Sequence, residues 1–492
     1  MLALLLPAAA QAEWRRAESP NFIVYGEGSE ARLRERILLL EDFDRLLRTV
    51  TNVNGPPAPA KLHVYLVDDN RALTRIRDLN RNVAGFYSAS PEGIGAFVSV
   101  DNAGSLNEVL FHEYAHHFML QQAPGAYPAW YVEGFAEYFS TVRFTRDAID
   151  IGNFSRGRTS WLVHEGWLPL DRLLGGRPSG LTPEGVSMFY SQSWLLTHYF
   201  YSNPERQAAL GRYLVAARRS DPVAAIQQAT GMDARRVERE LRDYIRDGSI
   251  NFRRMRRGST AAPPPVTVTT LPRAADDLIL SHAALRVGIR ESAEAGQLQA
   301  IRAAASRHPG DPFARRVLAH AELLHGDRAS AARLLDGLIA EIPDDAELMY
   351  LRGRLHLAAA QDAQDPAAEE LLARQWFVRA HRADPNHFQT LYRYFEAVRG
   401  GPEGNTENTA NLIILAHELA PQVTEIRFAA AAFMLQRGDA ARVVSLLAPV
   451  SADPHNPQAA AAARQMIAQA LGRGEQGGDA EADEGATESP AD

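Results

Sequence analysis

The sequence predicts an α+β domain followed by an all-α solenoid of paired helices. Short β-patterned runs alternate with amphipathic stretches up to about residue 250, a basic and proline-rich segment follows, and a spaced pattern of prolines then takes over. Pro309 and Pro343 are 34 residues apart, and Pro385 and Pro421 follow at 42 and 36, close to the period of a two-helix repeat. The chain accordingly divides into a signal peptide (1–12), an α+β domain (13–250), a linker (251–275), helical repeats (276–472) and an acidic disordered tail (473–492).

At the N-terminus, Leu2 to Ala9 form a short apolar run, and Ala10-Gln11-Ala12 is a small-residue cleavage site, although a basic flank is missing. The run is too short to span a bilayer, so the expectation is export to the periplasm or cell envelope with no stable membrane span after cleavage. Residues Asn21 to Tyr25 read as an extended segment, and a long amphipathic helix continues through Leu47. Lys61 to Val67 alternates Leu62, Val64 and Leu66 against His63 and Tyr65, and Ala96 to Val100 is β-rich ahead of the turn Asp101-Asn102-Ala103-Gly104.

His112-Glu113-Tyr114-Ala115-His116 is the stretch richest in chemistry. Four residues apart on a helix, the two histidines sit about 40° apart around the axis and present both imidazoles to one zinc ion. Glu113 falls roughly 60° to the side of His116, beside a metal site rather than on it, which is the position of a base. His117 lies about 140° from His112, off the ligand face, and reads as a packing histidine or one that supports a ligand from behind. Ala123-Pro124-Gly125 is a turn signal, and the following helix, introduced by Pro128, carries Glu133 back toward the histidines. Two histidines and one carboxylate leave a fourth position open, the arrangement of a zinc hydrolase.

These two segments, His112 to His116 and Trp130-Tyr131-Val132-Glu133-Gly134-Phe135-Ala136-Glu137-Tyr138, resemble the gluzincin clan of zinc peptidases, and more closely its peptidase MA-like group. The resemblance implies an α+β metallopeptidase domain that binds one Zn2+ through His112, His116 and Glu133. It also implies Glu113 as general base, and Glu137, one turn after Glu133, holding a ligand histidine by its other ring nitrogen. The opening Trp14 to Tyr25 also looks like that family's start, and Tyr190-Ser191-Gln192-Ser193-Trp194 resembles its element after the metal helices. Tyr190 is thereby a candidate oxyanion donor. In the resembling fold an edge strand lines the cleft and pairs with an extended peptide, which points to Ala96 to Val100, with Gly93 and Gly95 keeping its approach open. The aminopeptidase branch carries a Gly-x-Met-Glu-Asn segment, and Gly93-Ile94-Gly95-Ala96-Phe97 lacks its carboxylate, so an endopeptidase is expected.

Helices follow over Gly185 to Ser202, Pro204 to Arg218, Pro222 to Thr230 and Asp233 to Asp247. Arg253-Arg254-Met255-Arg256-Arg257 leads into Ala261-Ala262-Pro263-Pro264-Pro265, and without aromatic stacking partners it reads as a solvated linker, with no nucleic acid implied. Gly326-Asp327 and Gly438-Asp439 each fall 17 residues after Pro309 and Pro421, the phase of a turn between paired helices. Ala319, Leu324, Ala332 and Leu335 supply the small and large residues of such packing, so this region resembles a tetratricopeptide array, lengthened by an insertion near Gln361 to Pro366. The net charge of −8 includes a tail whose carboxylates, from Glu475 to Asp492, meet no lysine or arginine after Arg473. With no cysteine, disulfides, thiolate zinc sites and cysteine catalysis are excluded. The expected function is a zinc-dependent endopeptidase acting on a peptide or protein substrate, its repeats recruiting substrate or a protein partner. The alternative is an envelope scaffold, catalytically weak or inactive, that acts through its repeats.

Overall fold

The computed structural model describes residues 13–80, 83–101, 105–218, 220–248, 250–257, 262–288 and 290–483, so the expected signal peptide and the turn at Asn102 to Gly104 lie outside the described residues. The chain opens with β1 (Trp14–Glu18), β2 (Phe22–Glu27), α1 (Glu30–Thr51), β3 (Leu62–Val67), α2 (Asn70–Ile76), β4 (Gly85–Ser90) and β5 (Gly93–Ser99). Next come α3 (Leu106–Gln122), α4 (Ala129–Ser140), β6 (Arg143–Phe144), β7 (Ala148–Ile151), α5 (Arg156–His164), α6 (Leu170–Gly175) and α7 (Pro183–Tyr201). They are followed by α8 (Pro204–Ala216), α9 (Pro222–Thr230), α10 (Ala234–Arg246), β8 (Arg253–Arg256) and β9 (Thr267–Thr270). The remainder is helical: α11 (Ala274–Val287), α12 (Glu291–Ala305), α13 (Pro312–His325), α14 (Arg328–Glu341), α15 (Ala346–Ala360) and α16 (Pro366–Ala383). The last five helices are α17 (Phe388–Val398), α18 (Glu407–Leu419), α19 (Thr424–Gln436), α20 (Ala440–Ser451) and α21 (Pro457–Asp483). The architecture is thus a small mixed sheet with helices, followed by a helical, solenoid-like region. Among the described residues, no helix is long and apolar enough to cross a membrane.

Among the described residues two compact units interleave along the chain: one combines residues up to 106 with 262–423, the other those from 107 to 257 with 424–483. In the first, a six-stranded sheet among the described residues runs β4-β5-β3-β2-β1-β9, with β2, β3 and β5 parallel and the other pairings antiparallel. Alternation sends Phe22, Val24, Leu62 and Val64 to one face and Tyr25, Tyr65 and Phe97 to the other. On the second face the cross-strand neighbours Tyr25, Tyr65, Phe97 and Phe86 stack at ring separations of 4.6, 5.0 and 4.7 Å. Ala275, Ile279 and Ala283 of α11 pack over this ladder with Leu73 and Ile76 of α2. From α11 to α18 each helix packs on the next, and α11, α13, α15 and α17 also touch in succession, as stacked helix pairs require. Asp311, Asp327 and Asp345 cap the N-termini of α13, α14 and α15 with their carboxylates.

Ala96 to Val100 is not an edge strand: β5 is paired on both sides, by β3 and β4. The partner was invisible to periodicity because β4 buries only Phe86 deeply. Gly95 serves packing, since a Cβ there would meet the Phe97 ring at 2.9 Å. The stretch 251–275, expected as linker, supplies two strands: β8 pairs with β7, and β9 with β1. Both are largely exposed and polar, so no apolar alternation announces them, and Arg254 is held by a bidentate ion pair to Asp150 at 2.7 and 2.8 Å. The tail expected to be disordered from residue 473 continues α21 to Asp483, because extending a nucleated helix costs far less than starting one; residues 484–492 lie outside the described residues. The long repeat interval reflects both the connection Gln361 to Asp365 and an 18-residue α16.

Candidate metal centre

The second unit builds its site from α3, α4, α5, α7 and the turn between α20 and α21. Helical spacing places His112 and His116 on one face of α3, and their Nε2 atoms lie 3.1 Å apart. Their rings stand nearly perpendicular, at 80°. The turn after α3 returns the chain so that α4 presents Glu133, whose Oε2 lies 3.6 Å from His116 Nε2 and 4.0 Å from His112 Nε2. The close seating of α4 depends on Gly134: a Cβ there would fall 2.2 Å from Thr197 Oγ1 and 2.5 Å from the Ser193 carbonyl oxygen, both on α7.

Glu133 is fully buried, and neither carboxylate oxygen accepts an aligned hydrogen bond from the described residues. Desolvation opposes its charge, but His116 and His455 outweigh that effect and hold the carboxyl well below its ordinary range. Two nitrogens bound tetrahedrally to one zinc lie about 3.3 Å apart. The three donor atoms of His112, His116 and Glu133 lie within 4.8 Å of one another. A buried carboxylate whose Oε2 has no hydrogen-bond partner and faces two converging imidazoles fits a divalent cation held by two nitrogens and one oxygen.

Glu137, one turn after Glu133, brings Oε1 to 3.4 Å from His112 Nδ1. It is itself gripped by Arg158 of α5 through two contacts of 2.8 and 2.5 Å. The Arg158 guanidinium also lies 5.3 Å from the centre of the Tyr190 ring, and Tyr190 stands 6.4 Å from His112, ring to ring. Burial, then the carboxylates of Glu133 and Glu137, raise the Tyr190 phenol above its ordinary range, so it remains a proton donor. Glu113 sits half-buried on α3 beside His112, close enough for its charge to bear on Tyr190 and His455. His117 is buried away from the ligand face, stacked on Tyr114 and pushed down to about 3 by burial.

No family model and no curated protein matches this chain. Among solved structures, a thermophilic TPR protein of Thermus thermophilus is similar over 39% of this chain and 98% of its own, at 17% identity and a TM-score of 0.34.

Two residues at the site escaped the sequence reading. Arg158 sits in an unremarkable polar helix, and His455 lies in the turn Asp453-Pro454-His455-Asn456-Pro457, which reads only as a helix boundary. His455 Nε2 reaches 2.8 Å from Glu133 Oε1, the oxygen turned away from the other imidazoles, and its ring meets His116 edge to face at 5.5 Å. Burial would lower the His455 imidazolium, but the Glu133 carboxylate raises it to about 9. The turn is fixed from both ends. Asp453 Oδ1 accepts from the His455 and Asn456 amides at 2.8 and 3.3 Å, and Arg177 donates to the carbonyl oxygens of Asp453 and Ser451 at 2.7 and 3.0 Å.

Proposed function

We propose that the protein is a zinc-dependent peptidase, acting as an endopeptidase, with His112, His116 and Glu133 holding one zinc ion. The observation that carries this reading is Glu133: a fully buried carboxylate whose Oε2 has no hydrogen-bond partner and is aimed at two imidazole nitrogens 3.1 Å apart. Zinc bound there supplies Lewis acidity, which polarises a carbonyl and makes water acidic near neutral pH. The protein's own groups do the rest. Glu113 takes a proton from the attacking water and returns it to the leaving amine. The Tyr190 phenol donates to the carbonyl oxygen as that atom gains charge. Arg158 fixes Glu137, which fixes the His112 ring, and His455 occupies Glu133 Oε1 so that Oε2 faces the histidines. The helix pairs serve as a tetratricopeptide-like surface that recruits substrate or a protein partner, and the chain acts outside the cytoplasm after removal of residues 1–12.

The test is zinc content and casein cleavage by the chain from Glu13 onward, beside Glu113→Gln. The expected result is about one zinc in each protein, with cleavage reduced by about two to four orders of magnitude in the variant. No zinc in the unaltered chain overturns the metal centre, equal cleavage by the variant overturns the base, and zinc without cleavage in either overturns the peptidase reading.

A further inference from the structure

The first unit contains a cavity of about 490 Å³ between the aromatic face of its sheet and helices α11, α13 and α15. That size suits a small organic ligand, since such pockets commonly span roughly 300 to 1,000 Å³. Its floor carries the side chains of Tyr25, His63 and Tyr65, its helical wall those of His282, Arg286 and Arg316, and Ile23, Ile279 and Phe313 add apolar surface. The polar lining is unevenly satisfied. Arg16, at the rim, pairs with Glu18 at 2.7 Å, and Glu18 also takes Lys61 at 2.7 Å. Arg316 pairs with Asp345 and, at 2.8 Å, with Glu347 Oε2. Arg286 has only a 3.9 Å approach to Glu347 Oε1, although its side chain is 20% exposed.

Around the cavity, then, four cations (Arg16, Lys61, Arg286, Arg316) face three carboxylates (Glu18, Asp345, Glu347) among the described residues, and Arg286 is the one left short of a partner. Beside it on α11, one turn away, His282 is 9% exposed, and its Nε2, 3.8 Å from Glu347 Oε1, is buried without a hydrogen bond. Tyr65 also lines the cavity, and its hydroxyl has no hydrogen-bond partner among the described residues. A guanidinium, an imidazole nitrogen and a phenol converging on one space offer three donors to an acceptor-rich occupant.

We propose that this cavity binds a small organic anion, an apolar body bearing one carboxylate or phosphate group, with the acid seated on Arg286, His282 and Tyr65. The single lining carboxylate, Glu347, gives Oε2 to Arg316 and keeps Oε1 3.9 Å from Arg286 and 3.8 Å from His282, so a bound acid shares these two donors with it. The apolar body lies along Ile279 and Phe313. This site is independent of the metal centre, which belongs to the other compact unit.

The test is calorimetric titration of the full chain with benzoate, phenyl phosphate, inorganic phosphate and benzyl alcohol. Binding of benzoate or phenyl phosphate, with benzyl alcohol silent and inorganic phosphate weaker, is the expected result; whichever aromatic anion binds tighter identifies the acid group. Arg286→Gln should weaken that binding by about tenfold or more, the loss of one charge-assisted hydrogen bond. Should Arg286→Gln fail to fold, Tyr65→Phe removes only a hydroxyl and should still weaken binding several-fold. The proposal is overturned if neither aromatic anion binds, if the alcohol or inorganic phosphate binds equally well, or if every folded variant retains full affinity.

Discussion

A carboxylate buried as deeply as Glu133 stays charged only against positive charge, and its imidazole neighbours divide that work by oxygen: Oε2 faces His112 and His116, Oε1 faces His455. Replacing Glu133 by Gln keeps the shape and removes the charge, so the variant should purify folded but without stoichiometric zinc, as metal analysis beside a melting curve would show. His455→Gln touches only the oxygen turned away from the other histidines. It should weaken zinc by about ten- to a hundredfold, the usual effect of losing a group that steadies a ligand, measured by competition with a chelating dye. An unchanged zinc affinity would reduce His455 to a passing surface contact. His112, His116, Glu133 and Glu137 were legible in the sequence because one helical period orders each pair. Arg158 and His455 were not, because nothing local marks a side chain that acts across the fold.

Helices announced themselves more faithfully than strands. Proline at the first turn and Asp or Asn caps delimit α8, α9 and α10 within a residue or two of expectation, whereas β4, β8 and β9 bury too little to leave an alternating pattern. At α4 the helix seats on α7 through Gly134, so Gly134→Ala should lower stability by about 1–3 kcal/mol, the cost of overpacking, read from a denaturant melt. The β4–β5 hairpin is held by Glu92 at its tip, paired with Arg354 of α15 and, at 2.8 Å, with Arg393 of α17. Burial would raise the Glu92 carboxyl, but the two guanidiniums more than offset this and lower it below 4.5. A carboxyl depressed in the folded state stabilises fully above its unfolded pKa and ceases to do so as pH falls through the folded value. Thermal stability should therefore fall as pH drops below about 4.5, and Glu92→Gln should show a lower midpoint with a shallower acid dependence. Parallel acid profiles for the two proteins would remove Glu92 from the account.

At the scale of the molecule, the compact units do not follow the linear order of motifs. The first unit needs residues on both sides of the segment that carries His112, His116 and Glu133: Trp14, Tyr65 and Phe97 form one core with Ala275, Ile279 and Ala283 of α11, and β9 completes the sheet beyond β1. The second unit needs α20 and α21, because the turn between them carries His455 and is clamped by Arg177. A fragment covering residues 13–250 retains every metal-site motif read from the sequence yet lacks both supports. Stripping α11 from the sheet re-exposes the surface that Ile279 and Leu280 bury, at roughly 1.5–3 kcal/mol for each such side chain, and stability of the order of 10 kcal/mol leaves little to spare. The fragment should melt without cooperativity, bind a dye for exposed apolar surface, and hold zinc more weakly than the chain spanning residues 13–472. A cooperative melt together with undiminished zinc affinity would mean that the motifs suffice, and that the later helices are an appendage rather than part of what holds the metal centre in shape.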